Sequence, residues 1–387
     1  MNPTEQKKRP GTVARRSVDI AFDVPFVHRL RVTEDVCGDD VETLVELLDA
    51  GDAGPAKVLL VCESALDEST RRLSKSLSES SANLKLVGPP VSIAGGEAVK
   101  NNADAVDELL SHINTANLDR RSYIVAIGGG AMLDAVGYAA AIAHRGIRLI
   151  RLPTTTLAQA DSGVGVKNAI NHFDKKNWIG TFAVPWAVIN DTTLLESLSD
   201  RDFYSGFSEA VKVSLLKDRD DFDWLFNHAE SIRQRDPVIA ADAIARSCHW
   251  HLQHITRGGD PFEMLEARPL DFGHWSAHRL EPLSQFEIRH GEAVAIGVLI
   301  DCIYSSLKFG LDPNVVTRVR ECLTTLGLPL WHECLDPLDR LMVGLEEFRQ
   351  HLGGRLTITM LRDVGDPINV HEIDHAAMKE AIRRLSE

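Results

Sequence analysis

Apolar and polar residues follow two rhythms along this chain, and the rhythm changes near Asp191. Over residues 18–33 they alternate (Val18, Ile20, Phe22, Val24, then Val27, Leu30, Val32), and a period of two predicts an early β-hairpin. Residues 41–48 carry helical spacing. The run KVLLVC at 57–62 predicts a buried strand, followed by Glu63 and a helical stretch to Leu77. A second strand is expected at 84–87, before a Pro-Pro turn. Gly95, Gly96, Glu97 and Lys100 then lead into a helix reaching Ile113. The run SYIVAI at 122–127 is the clearest strand. It passes into Gly128, Gly129 and Gly130 and an alanine-rich helix over 132–143. One more strand, 148–152, ends at Pro153 and the threonines Thr154 to Thr156. Strands alternating with helices through short turns predict an open parallel α/β sheet with a nucleotide at its carboxyl edge.

Beyond Asp191 helical spacing dominates, at 207–216, 238–254, 293–307 and 315–323, with a strand-like segment at 356–361 after Gly353 and Gly354. At 387 residues the chain exceeds the usual single core. The expected organisation is a disordered basic tail (1–17), a Rossmann-like, nucleotide-binding α/β domain (18–191) and a mainly α-helical domain (192–387).

Composition narrows the function by exclusion. A net charge of −14 argues against nucleic acid or an anionic membrane as partner, while leaving room for a local cationic pocket. The longest apolar runs, such as 293–300, are too short to span a bilayer. Lys7, Lys8, Arg9, Arg15 and Arg16 have no apolar run behind them, so they form no secretory signal. Six scattered cysteines without paired spacing are those of reduced thiols in a cytoplasm.

Candidate chemistry lies in three stretches. The strand, triple glycine and helix start at 122–143 form an anion cradle: glycine lets a backbone approach a phosphate, and the helix end offers free N–H groups. A tight turn needing positive φ would use the same glycines, and the G-x-G-x-x-G spacing is absent. Residues 157–180 set Asp161, Lys167, Asn171, Lys175, Lys176 and Asn177 among glycines and among Val164, Val166, Ile170 and Trp178, a mixture that favours a site over a solvated loop. In the third, 268–297, His274 and His278 share a helix face and His290 opens a second apolar run, with Glu292 two residues on. Zinc favours such imidazoles and takes a third ligand from elsewhere, naturally Glu209, which shares a helix face with Lys212. An amphipathic helix pair with locally satisfied histidines, and a surface ion pair at Glu209 and Lys212, fit the same spacings.

Taken together, these motifs resemble those of the dehydroquinate synthase-like sugar phosphate cyclases, over about 58–365. The matching residues are Gly95-Gly96-Glu97-Ala98-Val99-Lys100, Gly128-Gly129-Gly130 with Asp134, His144-Arg145-Gly146 and Pro153-Thr154-Thr155. They continue through Ala158-Gln159-Ala160-Asp161-Ser162, Lys167, Lys176-Asn177, Glu209-Ala210-Val211-Lys212, His274 with His278, and His290-Gly291-Glu292-Ala293. The resemblance implies a divalent metal, zinc or cobalt, on Glu209, His274 and His290. It implies NAD on the glycine turn, Glu97, Lys100, Asp134, Thr154, Thr155 and Lys176, with Glu63 a candidate for the adenosine ribose. Arg145, Lys167, Asn177 and His278 match contacts to a leaving phosphate, and Arg355 stands where a lysine is common; Asp161 and Lys212 complete the implied catalytic set. Such enzymes oxidise a ring hydroxyl with bound NAD, eliminate phosphate, reduce the ketone again and close the ring by aldol addition. A homodimer is implied as well.

Departures from the dehydroquinate synthase pattern concern the substrate's carboxylate. An arginine expected seven residues before His274 is Ala267, an expected lysine aligns with Gln253, and an expected asparagine is Asp271. Arg268 lies one residue off, and Val166 stands where glycine is common. Two lost cations and a gained aspartate leave a carboxylate unpaired, whereas Asp271 suits hydroxyl donors. The expectation is a cyclase of sedoheptulose 7-phosphate giving a valiolone-type C7 cyclitol. The alternatives are 3-dehydroquinate synthase and, in a different class, a metal- and NAD-dependent polyol dehydrogenase.

Overall fold

A parallel sheet carries the first half of the molecule. The computed structural model describes residues 17–386 apart from 51–53, 174, 266–268 and 352–353, so nearly all of the basic tail lies outside the described residues. In chain order the elements begin with β1 (Leu30–Thr33), α1 (Val41–Val45), β2 (Ala56–Glu63), α2 (Asp67–Ser80), β3 (Leu84–Leu86), β4 (Val91–Ile93) and α3 (Ala103–Thr115). They continue with β5 (Tyr123–Gly128), α4 (Gly130–Ile142), β6 (Arg148–Pro153), β7 (Lys167–His172), β8 (Lys175–Phe182) and β9 (Ala187–Asp191). The seven-stranded sheet runs β1-β9-β6-β5-β2-β3, with β4 beside β3 on the same edge of β2, and every pairing in it is parallel. Its central strands are apolar without alternation because both faces are covered. Leu44 of α1 with Leu73 and Leu77 of α2 lie on one face. Leu109 and Ile113 of α3 with Met132, Leu133 and Val136 of α4 lie on the other.

The hairpin expected at 18–33 does not form. Only Leu30–Thr33 pairs, and it pairs in parallel with β9. Residues 18–27 are exposed and belong to no strand; His28 Nε2 meets the Val164 carbonyl at 2.7 Å and Arg29 donates to that of Trp186. Alternation shows that two faces differ but names no partner, and the partner that β1 takes lies more than a hundred residues away.

The polar stretch 157–180 is neither loop nor linker. It begins as a π-helical turn, Ala158–Ser162, and continues into the antiparallel ribbon β7–β8. The ribbon lies against α4 so closely that a Cβ on Gly137 would sit 1.8 Å from Asn168 Oδ1. Arg151, fully buried on β6, donates to the carbonyls of Gly163, Gly165 and Lys167 and to Asn168 Oδ1, tying turn and ribbon to the sheet.

Helices follow: α5 (Asp200–Ser205), α6 (Phe207–Lys217), α7 (Arg219–Arg233), α8 (Pro237–Arg257), α9 (His274–Leu283), α10 (His290–Phe309), α11 (Pro313–Thr325) and α12 (Leu338–His351). The hairpin β10 (Ile358–Asp363) and β11 (Asp366–Val370) precedes α13 (His375–Arg383). Helix α10 is buried from Gly291 to Ser305, and the others pack around it. Among the described residues no helix is long and apolar enough to cross a membrane.

Candidate active site

Two helix starts and one buried helix bring the acidic and imidazole groups together. Gly273 takes a left-handed φ of 79°, which turns the chain into α9 at His274. Asp301 of α10 accepts from the Gly273 N–H and from Trp275 Nε1, each at 2.8 Å, and holds that turn; burial pushes its carboxyl up to about 7. From His274, His278 and Glu281 follow at i+4 and i+7 on one helix face. Helix α10 starts at His290 with Glu292 capping the Arg289 N–H and pairing with Arg201, so Glu292 anchors the helix start. Glu209 and Lys212 come from α6, buried from Phe207 to Leu216.

Glu209, His274 and His290 converge, with ligand atoms all within 4.8 Å of one another. His274 Nε2 lies 3.5 Å and His290 Nε2 3.6 Å from Glu209 Oε1. The other ring nitrogens are held from behind. His274 Nδ1 meets the Phe272 carbonyl at 3.1 Å; His290 Nδ1 meets Glu281 Oε1 at 2.8 Å, and Glu281 Oε2 meets Lys176 Nζ at 2.5 Å. An imidazole whose Nδ1 donates to an acceptor presents a lone pair at Nε2. Both Glu209 oxygens are buried without a hydrogen bond, although Lys212 Nζ forms an ion pair at Oε2. A buried carboxylate so poorly satisfied, facing two such imidazoles, fits a divalent cation of the zinc type.

Charges reinforce this arrangement. Burial pushes Glu209 up, but Lys212 and the two imidazoles outweigh it and hold the carboxyl well below the usual range. Burial lowers Lys212, yet Glu209, Asp161 and Asp271 together raise it. Burial opposes a proton on His290, but Glu281 and Glu209 outweigh it and raise it to about 9. Burial, then the charge of His274, holds His278 well below its ordinary value.

A second network lies at the carboxyl edge of the sheet. Glu63, ending β2, accepts from the Gly129 N–H at 3.0 Å, and a Cβ on Gly95 would fall 1.8 Å from its Oε1. Gly130 opens α4, Thr154 N–H donates to the Gly128 carbonyl, and Thr155 Oγ1 accepts from Ala158 N–H. Buried Lys100 donates to Asp134 Oδ2 at 2.7 Å and to Asn177 Oδ1. Asn171 links Glu97 Oε1 (3.0 Å) to the Asn177 N–H (2.8 Å). Lys176 joins this edge to the metal-type trio.

Other residues grouped by sequence do not all join. Arg145 is exposed beyond the far end of α4, whose 13 residues set it about 20 Å from the glycine turn. Lys167 is exposed and pairs with Glu263, and Arg355 is exposed between α12 and β10. Asp271 ends the short turn ahead of α9, close enough to act on Lys212. Ala267 and Arg268 lie outside the described residues. Gln253 is two residues past His251, about 200° round α8, and it is His251 that meets Asp161. Sequence reasoning missed Glu281, Arg151, Asp301 and His251. The i+7 spacing from His274 could have found Glu281; the others pair across elements far apart in sequence.

Residues 90–205 match the family profile described as 3-dehydroquinate synthase N-terminal, and residues 206–347 the one described as 3-dehydroquinate synthase C-terminal. The chain belongs to the 3-dehydroquinate synthase family. Within it, the 3-dehydroquinate synthase of Halorhodospira halophila is 33% identical over 76% of this chain and 82% of its own length. The 2-epi-valiolone synthase of Actinosynnema mirum is 31% identical over 97% of this chain and 96% of its own. Among solved structures, 2-epi-5-epi-valiolone synthase from Streptomyces hygroscopicus subsp. jinggangensis, with NAD+ and Zn2+ bound, gives a TM-score of 0.84 at 24% identity, covering 95% of this chain and 99% of that one. A 2-deoxy-scyllo-inosose synthase gives 0.76 at 24% identity, over 92% and 96%. At these identities the structural likeness is one of fold.

Proposed function

We propose that this family member is a phosphate-eliminating cyclase that converts sedoheptulose 7-phosphate to a valiolone-type C7 cyclitol. The observation that carries the choice of substrate is Asp271, which stands where a dehydroquinate synthase is expected to have asparagine and lies close enough to act on Lys212. A substrate carboxylate held at ~4 Å from it would be repelled by about 4 kcal/mol at an intermediate dielectric. A hydroxymethyl group would instead donate to it. The Actinosynnema mirum relative, matched over nearly its whole length, supports the same choice.

Glu209, His274 and His290 are assigned to a divalent ion, zinc or cobalt. NAD is assigned to Gly128, Gly129 and Gly130 with Glu97, Lys100, Asp134, Thr154, Thr155 and Lys176, and its adenosine ribose to Glu63. When bound, NAD supplies a reversible hydride acceptor and the ion supplies Lewis acidity. The chain's own residues do the rest. Lys212, kept cationic, donates to an oxygen at the open side of the trio, and Asp161 accepts from a neighbouring hydroxyl. His278, held uncharged near neutral pH, takes up a proton at a ring nitrogen as the substrate rearranges. The leaving phosphate is assigned to His278 and Lys176, which lie close enough for the lysine charge to act on the imidazole, with Asn177 next to Lys176 in the chain. Arg145, Lys167 and Arg355, each exposed, are the further cations that the resemblance offers to that phosphate.

Synthesis of 3-dehydroquinate is the second reading, favoured by the two family profiles. It needs a cation for the carboxylate, a role left to Arg268. The test uses purified protein with NAD, zinc or cobalt, and sedoheptulose 7-phosphate. Many phosphates should be released per NAD without lasting NADH absorbance. NADH accumulating in step with turnover would overturn the cyclase in favour of a polyol dehydrogenase.

A further inference from the structure

Helix α8 presses one face on the π-helical turn that carries Asp161, and on that face stands a histidine to which the chemistry above gives no role. Cys248 Sγ meets the Gln159 carbonyl at 2.8 Å, and Gln159 is itself pinned to the Pro153 and Asp191 carbonyls. One helical turn further, His251 Nδ1 lies 2.7 Å from Asp161 Oδ1, with the imidazole 13% exposed. Arg151 grips the Gly163 and Gly165 carbonyls, and His28 the Val164 carbonyl, so the backbone after Asp161 is fixed by other contacts. The backbone is therefore held without His251. What His251 alone holds, among the described contacts, is the Asp161 carboxylate, whose charge reaches Lys212 and Glu209.

We propose that His251 is a positioning residue that fixes the Asp161 side chain so that its second oxygen accepts from a substrate hydroxyl at the Glu209–Lys212 centre. An ionised carboxylate offers acceptor sites on both oxygens, so accepting from the imidazole at Oδ1 leaves Oδ2 available. With Nδ1 donating, the carboxylate loses its freedom to rotate, and the hydroxyl it faces is held in one orientation. The role rests on the reading of this centre as catalytic, and it goes beyond that reading in assigning a residue from α8.

The experiment uses the full-length, metal-loaded protein as wild type, His251→Leu, His251→Asn, Asp161→Asn and the double variant His251→Leu/Asp161→Asn. Leucine should lower kcat about 10- to 100-fold with metal content intact, the loss expected of a misplaced group. Asparagine, whose amide can replace Nδ1–H, should restore most of it. In the Asp161→Asn background, His251→Leu should change kcat by less than about twofold, since coupled residues are not additive. Nitrogen-15 histidine spectra give a readout independent of substrate: the His251 Nδ1–H signal should shift or vanish in Asp161→Asn. Multiplicative effects of the two substitutions, an asparagine variant no better than leucine, loss of metal with leucine, or a spectrum indifferent to Asp161→Asn would each overturn the proposal. A wild type that does not turn over sedoheptulose 7-phosphate but shows the Nδ1–H response would overturn the substrate and leave the pairing standing.

Discussion

Glu281 shows how much one side chain can organise. It bridges Lys176 and His290, so it orients one imidazole and ties the sheet edge to the helical half. Glu281→Gln should weaken divalent binding about 10- to 100-fold while the protein stays folded, as outer partners of metal ligands do. Metal titration with an unchanged affinity would contradict the arrangement. His274→Ala should abolish stoichiometric metal and turnover together, and full metal occupancy in that variant would refute the ligand assignment. Asp301 gives a test in pH. Its folded carboxyl titrates near 7, above the ordinary carboxylate range, so the folded state binds the extra proton. Its contribution is present at low pH and is lost as pH rises from the ordinary range through about 7. Asp301→Asn should flatten the fall in melting temperature between about pH 5 and 8; parallel profiles would contradict it. The histidine spacing at 274, 278 and 290 was legible because it is local. His251 and Asp301 were not, because each meets its partner across two elements and neither spacing nor residue type announces it.

At the scale of elements, α9 and α10 cross closely enough to be tested. A Cβ on Gly297 would fall 2.0 Å from the Gly273 carbonyl, immediately ahead of His274. Gly297→Ala should therefore cost about 1–3 kcal/mol of stability and weaken metal binding, because backbone cannot rotate aside as a side chain can. Thermal unfolding and metal titration check both; a variant equal to wild type in both would show that α9 is placed by other contacts. Strand and helix rhythms revealed β2, β5, β6, α4 and the long helices. They misled at 18–33, where alternation suggested a local hairpin and β1 instead joins β9. The ribbon β7–β8 stayed hidden because its strands are rich in polar residues, several of them exposed, and carry no clear apolar alternation. Arg145 is the converse case: its neighbouring motif is recognisable, yet a regular α4 carries it to the opposite end from the glycine turn.

The parallel sheet and the helical half were legible because buried strands and helix faces write themselves in residue order. Charge balance at the centre is a property of the assembled molecule. Lys212 comes from α6, Asp161 from the π-helical turn, Asp271 from the turn before α9 and Lys176 from the ribbon. Only their meeting shows which side of the site is anionic. Within a family that includes 3-dehydroquinate synthases and a 2-epi-valiolone synthase, Asp271 is the part of that balance on which the choice of substrate rests. The most direct test is the ratio of kcat/KM for phosphate release from sedoheptulose 7-phosphate to that from the C7 phosphorylated keto acid, measured on one preparation. At about 1.4 kcal/mol per tenfold, the repulsion expected from the Asp271 carboxylate corresponds to a preference of more than a hundredfold for sedoheptulose 7-phosphate. A ratio of one or below would contradict the account and make the protein a 3-dehydroquinate synthase.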